Sequence, residues 1–167
     1  FPYMQMVPVV AKEVLGVGSI RYGILGASQG LGSLVGALII ANRGVVKEGR
    51  VFSLGGGLML VCVFLFALSP IYSLSVFFVF LAGIGMSGFA TMQTAMVLRA
   101  APMEIRGRAM GTVAMAIGVS PIGILIVGFL AERLGVQTAL ALLAIVGVIV
   151  VVLLRWKYPV LRDKTAG

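Results

Sequence analysis

The sequence has few of the residues on which enzymes and soluble domains depend. It contains no histidine, one cysteine and five acidic residues, and charged side chains make up 11% of the chain, whereas soluble domains carry about 25%. Histidine is the commonest general base, and no Asp or Glu interrupts the long apolar runs, so we expect no enzyme and no cofactor. Cys62 lies within such a run and indicates neither a disulfide nor a metal site.

Long apolar runs dominate the rest of the chain. Residues 51–98 carry no charge and are broken only near Ser69-Pro70, and 22–42, 109–131 and 134–154 are also uncharged. A membrane helix needs about 20 apolar residues, because the hydrocarbon core is about 30 Å thick and a helix rises 1.5 Å per residue. The sequence therefore predicts an all-α polytopic membrane protein. The predicted spans are residues 1–11 (partial), 22–42, 51–69, 72–98, 109–131 and 137–155.

The first residues have the character of a helix interior. Phe1 is not a start residue, and residues 1–7 are apolar, with no basic flank and no cleavage signal. We therefore expect no signal peptide in these residues. We expect a fragment that starts in mid-helix, and the spans leave no room for a separate soluble domain.

The positive charge is distributed unequally between the two sides of the predicted membrane. The net charge is +8. Short loops rich in Lys and Arg stay in the cytoplasm, which places the C-terminus inside and gives a nucleic-acid role little support. The side assigned to the cytoplasm holds Arg43, Lys47, Arg50, Arg99, Arg106, Arg108, Arg155, Lys157, Arg162 and Lys164, and the other side holds Lys12, Arg21 and Arg133.

Polar residues at membrane depth are the candidates for contact with a substrate, since each is unfavourable in lipid unless it faces protein or water. These candidates are Tyr3, Gln5, Gln29, Gln93 and Ser120. For Gln29 and Gln93 the alternative is a hydrogen bond between helices. The nine methionines would either line an adaptable apolar cavity or fill gaps between helices.

Glycines and one proline indicate where helices pack or bend. The pairs Gly26/Gly30 and Gly32/Gly36 have the spacing of small residues at a helix contact, and Gly118 and Pro121 flank a predicted interruption of the fifth span. Residues 83–88 read G-x-G-x-x-G. A dinucleotide site would need a strand, a turn and a helix around this motif. Its position inside one uncharged run favours close helix packing instead.

Two segments of the chain resemble each other. Residues 35–44 and 127–135 share a Val-Gly-x-Leu start and an Ala-x-Arg turn, and three helices separate the copies. An odd number of crossings inverts the second copy in the bilayer. Inverted three-helix repeats are typical of secondary transporters.

Three motifs resemble the C-terminal half of a major facilitator superfamily transporter. They are the pattern at 128–135, the Arg-Gly-Arg-x-x-Gly loop at 102–111 and the turn that contains Asn42-Arg43 and Gly49-Arg50. The resemblance implies helices 7 to 12 of that fold, with the first helix truncated and the N-terminal six-helix half as a missing partner. It also implies cavity-lining roles for the first, second, fourth and fifth helices. The implied gating or loop residues are Asn42, Arg43, Gly49, Arg50, Glu104, Arg106 and Arg108.

This resemblance predicts transport by alternating access in a cytoplasmic (inner) membrane. The missing intramembrane charge favours efflux of a moderately apolar compound. Uptake of a nutrient or metabolite is the alternative, and a non-transporting membrane scaffold, which would lack a water-filled cavity, is an alternative of another class. The expected partners are a small-molecule substrate, the lipid bilayer and the missing half, without nucleic acid. For Arg106 and Arg108, contact with lipid phosphate and a hinge role both stay open.

Overall fold

The computed structural model describes residues 2–43, 48–158 and 161, and it shows α-helices with no β-strand in this part of the chain. The all-α prediction is confirmed. A short 3-10 helix (Met103–Ile105) precedes the fifth α-helix. The α-helices are α1 (Pro2–Glu13), α2 (Ser19–Arg43), α3 (Glu48–Leu68), α4 (Tyr72–Ala100), α5 (Arg106–Gly118), α6 (Ser120–Leu134) and α7 (Val136–Lys157).

Five stretches of the described residues are long and apolar enough to cross a membrane. Four are α2, α3, α4 and α7, and the fifth is Met103–Leu134, which contains α5 and α6. Large apolar side chains cover the outside of the bundle: Met115 is 77% exposed and Leu125 is 73% exposed. Lipid is the solvent that suits such a surface. The described helices therefore belong to a multi-pass membrane protein.

Proline and glycine determine where several helices end. Ala101 ends α4 in an extended conformation, as expected for a residue that precedes a proline, here Pro102. Gly135 separates α6 from α7 with a φ of 84°, a conformation that glycine adopts without steric cost. The fifth span begins earlier than residue 109, because the 3-10 helix containing Glu104 leads directly into α5.

The fifth span is interrupted, as Ser120-Pro121 predicts. Helix α5 ends at Gly118, Val119 stands between the helices, and Pro121 lies in the first turn of α6. Proline is tolerated in a first turn because the amide hydrogen that it lacks has no helical partner there. Apart from its own helix backbone, no described atom lies within 4 Å of the position that a Cβ on Gly118 would occupy, so this glycine makes no close helix contact here.

Some of the helix pairs have the counterparts expected of two repeats. Helix α4 packs against both α2 and α3, and α1 packs against both α6 and α7. Helix α3 also packs against α7. In the two repeats, α1 corresponds to α4, α2 to the fifth span and α3 to α7. The contact of α4 with α2 then matches that of α1 with α6, and the contact of α4 with α3 matches that of α1 with α7. The apolar core lies where α1, α3, α4 and α7 meet, and its buried side chains include Val10, Phe66, Val79 and Leu140.

The G-x-G-x-x-G motif packs helices. A Cβ on Gly83 would lie 2.9 Å from the backbone nitrogen of Ser33 on α2. A Cβ on Gly85 would lie 2.6 Å from the carbonyl oxygen of Gly55 and 2.7 Å from the nitrogen of Met59, both on α3. Residues two apart point to nearly opposite sides of a helix. The motif thus allows α4 to approach α2 and α3 at once, which confirms the packing interpretation.

Candidate functional site

A cavity of about 510 Å³ lies between α1, α2 and α4. We call it the main cavity. Sites for small molecules in proteins commonly measure about 300 to 1,000 Å³, so this volume suits a small-molecule ligand. The lining residues are Met4, Val7, Tyr22, Gly26, Gln29, Gly30, Ser33, Met86, Ser87 and Ala90.

The two glycine pairs of α2 have different surroundings. A Cβ on Gly32 would lie 2.9 Å from the carbonyl carbon of Phe80, and a Cβ on Gly36 would also press on the α4 backbone. For Gly26 and Gly30, nothing lies within 4 Å of that position. Within the described residues, Gly32 and Gly36 therefore pack α2 onto α4, whereas Gly26 and Gly30 leave room for the main cavity.

One stripe of α2 supplies Gln29 and Ser33 to the main cavity, and α4 supplies Ser87. Positions 26, 29, 30 and 33 recur at helical spacing and share a face. Ser33 Oγ donates a hydrogen bond to the carbonyl oxygen of Gly83, at 3.2 Å. Ser87 Oγ donates to the carbonyl oxygen of Ile84 on its own helix, at 2.8 Å. Each hydroxyl hydrogen thus already has a protein acceptor.

Gln29 has more hydrogen-bonding capacity to spare. Its side chain is half-buried, and its Nε2 donates to Sδ of Met86 at 3.7 Å. A thioether is a weak acceptor, and a glutamine amide has two donor hydrogens and an acceptor oxygen. Gln29 is therefore suited to bind a polar group of a ligand in the main cavity.

A smaller cavity of about 100 Å³ adjoins the main cavity. We call it the methionine pocket; Tyr3, Met4, Met59, Met86 and Phe89 line it, and Met4 and Met86 line both cavities. Tyr3 is only 4% exposed, and its hydroxyl has no hydrogen-bond partner among the described residues. A buried hydroxyl without a partner is unfavourable.

The other three substrate candidates lie outside these linings. Gln5 is exposed on α1, and Ser120 is half-buried at the start of α6. Gln93 is half-buried on α4, two helical turns after Met86 and on nearly the same face. The structure places Gln29 in the lining of the main cavity and Tyr3 in that of the methionine pocket, with Met86 in both linings. It leaves Gln5, Gln93 and Ser120 out of both linings.

The residues of the loop at 102–111 lie on the surface. Arg106 Nε donates a hydrogen bond to the carbonyl oxygen of Ala101 at 3.2 Å, which holds the turn between α4 and α5. Glu104 and Arg108 are exposed. Arg106 thus has a structural contact in addition to the lipid and hinge roles that the sequence leaves open.

Part of the turn between α2 and α3 is described. Asn42 is exposed near the end of α2, and Gly49 is buried and Arg50 exposed in the first turn of α3. Residues 44–47, Arg162 and Lys164 lie outside the described residues, as does the side chain of Arg43. The cytoplasmic side assigned to these residues, and to the other Lys and Arg residues of the same loops, stays a prediction from the sequence.

Sequence reasoning missed an ion pair beside this turn. Glu48 Oε1 lies 3.2 Å from Arg99 Nε, and Glu48 is largely buried while Arg99 is exposed. The pair joins the start of α3 to the end of α4. The sequence offers one indication of this pair: Glu48 is an acidic residue in the first turn of a helix, where a carboxylate is favourable.

Sequence reasoning also missed Met59 and Phe89, since nothing distinguishes them from the other apolar residues of their helices.

No curated protein matches the chain. The family model described as the Major Facilitator Superfamily matches residues 2–167. This match agrees with the all-helical fold and with the five helical stretches long enough to cross a membrane. The chain belongs to the Major Facilitator Superfamily, whose members are membrane transporters.

Proposed function

We propose that the protein is a secondary active transporter that exports a small, moderately apolar compound across the cytoplasmic membrane. The observation that supports this most directly is the main cavity of about 510 Å³, which α1, α2 and α4 line and which is open on one side. A cavity of this kind is expected of a transporter and is not expected of a membrane scaffold.

The chemistry of the lining favours an uncharged, apolar substrate. Among the described residues that line the main cavity, none carries a charge at neutral pH. A strongly charged substrate would lose its hydration there without gaining an ion pair. Gln29 offers hydrogen bonds, and Met4, Val7 and Met86 offer apolar contact. A largely apolar compound with one polar group fits this lining best.

Alternating access supplies the mechanism. In this proposal, α1, α2 and α4 form one wall of the site and an N-terminal six-helix half forms the other, and the two halves rock around the bound compound. The break at Val119 between α5 and α6 gives the fifth span a place to bend. The excess of Lys and Arg in alternate loops favours a cytoplasmic C-terminus.

Dye accumulation in cells tests this function. The full-length protein, its Gln29→Leu variant and an empty vector are compared for accumulation of Nile red, an uncharged apolar dye. We expect the lowest accumulation with the unaltered protein and an intermediate level with Gln29→Leu. Gln137→Leu on α7 is the matched control, because Gln137 is not among the residues that line the main cavity.

The possible outcomes separate the alternatives. Equal accumulation with protein and vector, at confirmed expression in the membrane, argues against efflux of this class of compound. Accumulation above the vector level indicates uptake instead. If Gln29→Leu and Gln137→Leu lower export equally, and dye accumulation therefore rises equally in both, the main cavity is not the site.

A further inference from the structure

We infer that the methionine pocket receives an aromatic ring of the transported compound, and that a hydrogen-bonding group on this ring pairs with the Tyr3 hydroxyl. The inference rests on the proposed transport function, because the ring is assigned to the transported compound. It adds a substrate class to that function: an aryl compound that carries a phenol or an aryl ketone.

The unpaired hydroxyl of Tyr3 is the first observation. Tyr3 lines the pocket and is 4% exposed, and no described residue pairs with its hydroxyl. Buried polar groups in folded proteins nearly always have partners, and an exception calls for an explanation. The hydroxyl oxygen is closed off from solvent, so a ligand group that donates to it or accepts from it supplies the missing partner once the side chains around it move.

The walls of the pocket favour an aromatic ring over other apolar groups. Three thioether side chains and the ring of Phe89 line it, from helices α1, α3 and α4. Sulfur atoms make favourable contacts with aromatic rings. Phe89 is itself stacked on Phe52, with ring centroids 4.8 Å apart, so its ring is held in place as one wall.

The pocket is small but can widen. Its volume of about 100 Å³ is below the about 150 Å³ of an apolar cavity known to hold benzene. Methionine side chains are unbranched and adjust their shape readily. Met4 and Met86 separate the methionine pocket from the main cavity, so their movement both enlarges the pocket and opens it.

Gln29, in the main cavity, donates a hydrogen bond to Met86, which lines both cavities. Its Nε2 holds Met86 Sδ at 3.7 Å. A substrate oxygen in the main cavity is a stronger acceptor than this sulfur and would displace it. Met86 is then free to move, and the ring enters beside Tyr3 while the polar part of the compound stays on Gln29.

Photolabelling with 4-hydroxybenzophenone tests the inference. Its excited ketone forms a covalent bond at C–H groups next to methionine sulfur. The full-length protein in lipid nanodiscs is irradiated with this compound, and the labelled methionines are identified by mass spectrometry. Met115, which is 77% exposed on α5 and lines neither cavity, reports labelling outside the two cavities. We expect labelling at Met59, which lines the methionine pocket but not the main cavity, to exceed that at Met115.

Tyr3→Phe makes the test specific. We expect about fivefold less labelling of Met59 and Met86 in this variant, the loss typical of one neutral hydrogen bond, with unchanged labelling of Met115. Met59→Phe, which fills the pocket, is the second variant and is expected to remove labelling of Met86. Size-exclusion chromatography verifies that each variant is folded.

Two results would overturn the inference: labelling confined to Met115, or labelling of Met59 that Tyr3→Phe leaves unchanged. Lower Nile red accumulation without labelling of Met59 contradicts the pocket and leaves the transport proposal standing. Tyr3-dependent labelling of Met59 with no effect of the protein on the dye supports ring binding and contradicts efflux.

Discussion

The side-chain nitrogen of Gln29 lies 3.7 Å from the sulfur of Met86 and joins α2 to α4 at the wall of the main cavity. This contact satisfies only part of the hydrogen-bonding capacity of a glutamine amide. Both helices also meet through Gly32 and Gly83, so the helix contact does not depend on the amide. Gln29 can therefore change its partner when a substrate arrives.

Substitution of the two intramembrane glutamines separates their roles. We expect Gln29→Leu to lower the initial rate of transport about fivefold, since one neutral hydrogen bond to the substrate is lost. Gln93→Leu is expected from the sequence to lower transport as well, but the loss should be smaller, because Gln93 lies outside the lining of the main cavity. Transport is measured in proteoliposomes at matched protein content. Unchanged rates in both variants would remove these residues from the site.

Two glycines of α2 provide a matched pair for a stability measurement. Gly32→Ala would place a methyl group 2.9 Å from the carbonyl carbon of Phe80 and 3.3 Å from Cα of Gly83. Overpacking of this kind typically costs about 1–3 kcal/mol. Gly30→Ala meets nothing within 4 Å and gains helix propensity. We expect a lower thermal unfolding midpoint in detergent for Gly32→Ala only.

The comparison of these two variants also checks the helix interface itself. Equal midpoints for Gly32→Ala and Gly30→Ala would mean that α2 and α4 are farther apart than the structure has them. Gly26→Ala serves as a second control, because its added methyl group also meets open space.

Much of the fold could be predicted from the sequence because lipid imposes a simple rule. Uncharged runs of about 20 residues must form helices across the membrane, and Pro102, Pro121 and Gly135 mark helix ends by local sterics. The start of the fifth span was less predictable. Residues 103–108 carry charges, so hydropathy alone does not show that α5 begins at Arg106.

The site could be predicted only in part, because a helix face gains its role from its neighbours. Gln29 was identified by its polarity within an apolar helix. Gly26 and Gly30 have the same spacing as Gly32 and Gly36, yet only the second pair meets α4. Nothing local distinguishes Met59 from other apolar residues of α3, and its place in the pocket depends on the packing of three helices.

The ion pair between Glu48 and Arg99 is expected to be weak. Arg99 is 71% exposed, and pairs at exposed sites contribute about 0.2–1 kcal/mol. A double-mutant cycle with Glu48→Gln and Arg99→Gln, scored by thermal unfolding in detergent, should give a coupling below about 1 kcal/mol that falls at high salt. A coupling of several kcal/mol that salt leaves unchanged would mean that the pair is shielded from solvent.

Cysteine accessibility tests the proposed orientation. In a cysteine-free background that includes Cys62→Ala, Glu13→Cys and Glu104→Cys each introduce one exposed thiol. The distribution of Lys and Arg places residue 13 outside and residue 104 inside. A membrane-impermeant maleimide should therefore label position 13 in intact cells and position 104 only after the cells are opened. The reverse pattern would contradict the orientation.

Tyr3→Phe tests whether the buried hydroxyl is unsatisfied in the absence of substrate. The variant removes one polar atom that has no partner among the described residues, and an unpaired buried polar group costs about 1–3 kcal/mol. We expect the substrate-free variant to unfold at a higher temperature than the unaltered protein, measured by differential scanning fluorimetry in detergent. Tyr22→Phe, at an exposed tyrosine of the main cavity, is the control and should change the midpoint little. A lower midpoint for Tyr3→Phe would show that the hydroxyl already has a partner in the full-length protein, and the methionine pocket would then lack the polar group that recognises a substituted ring.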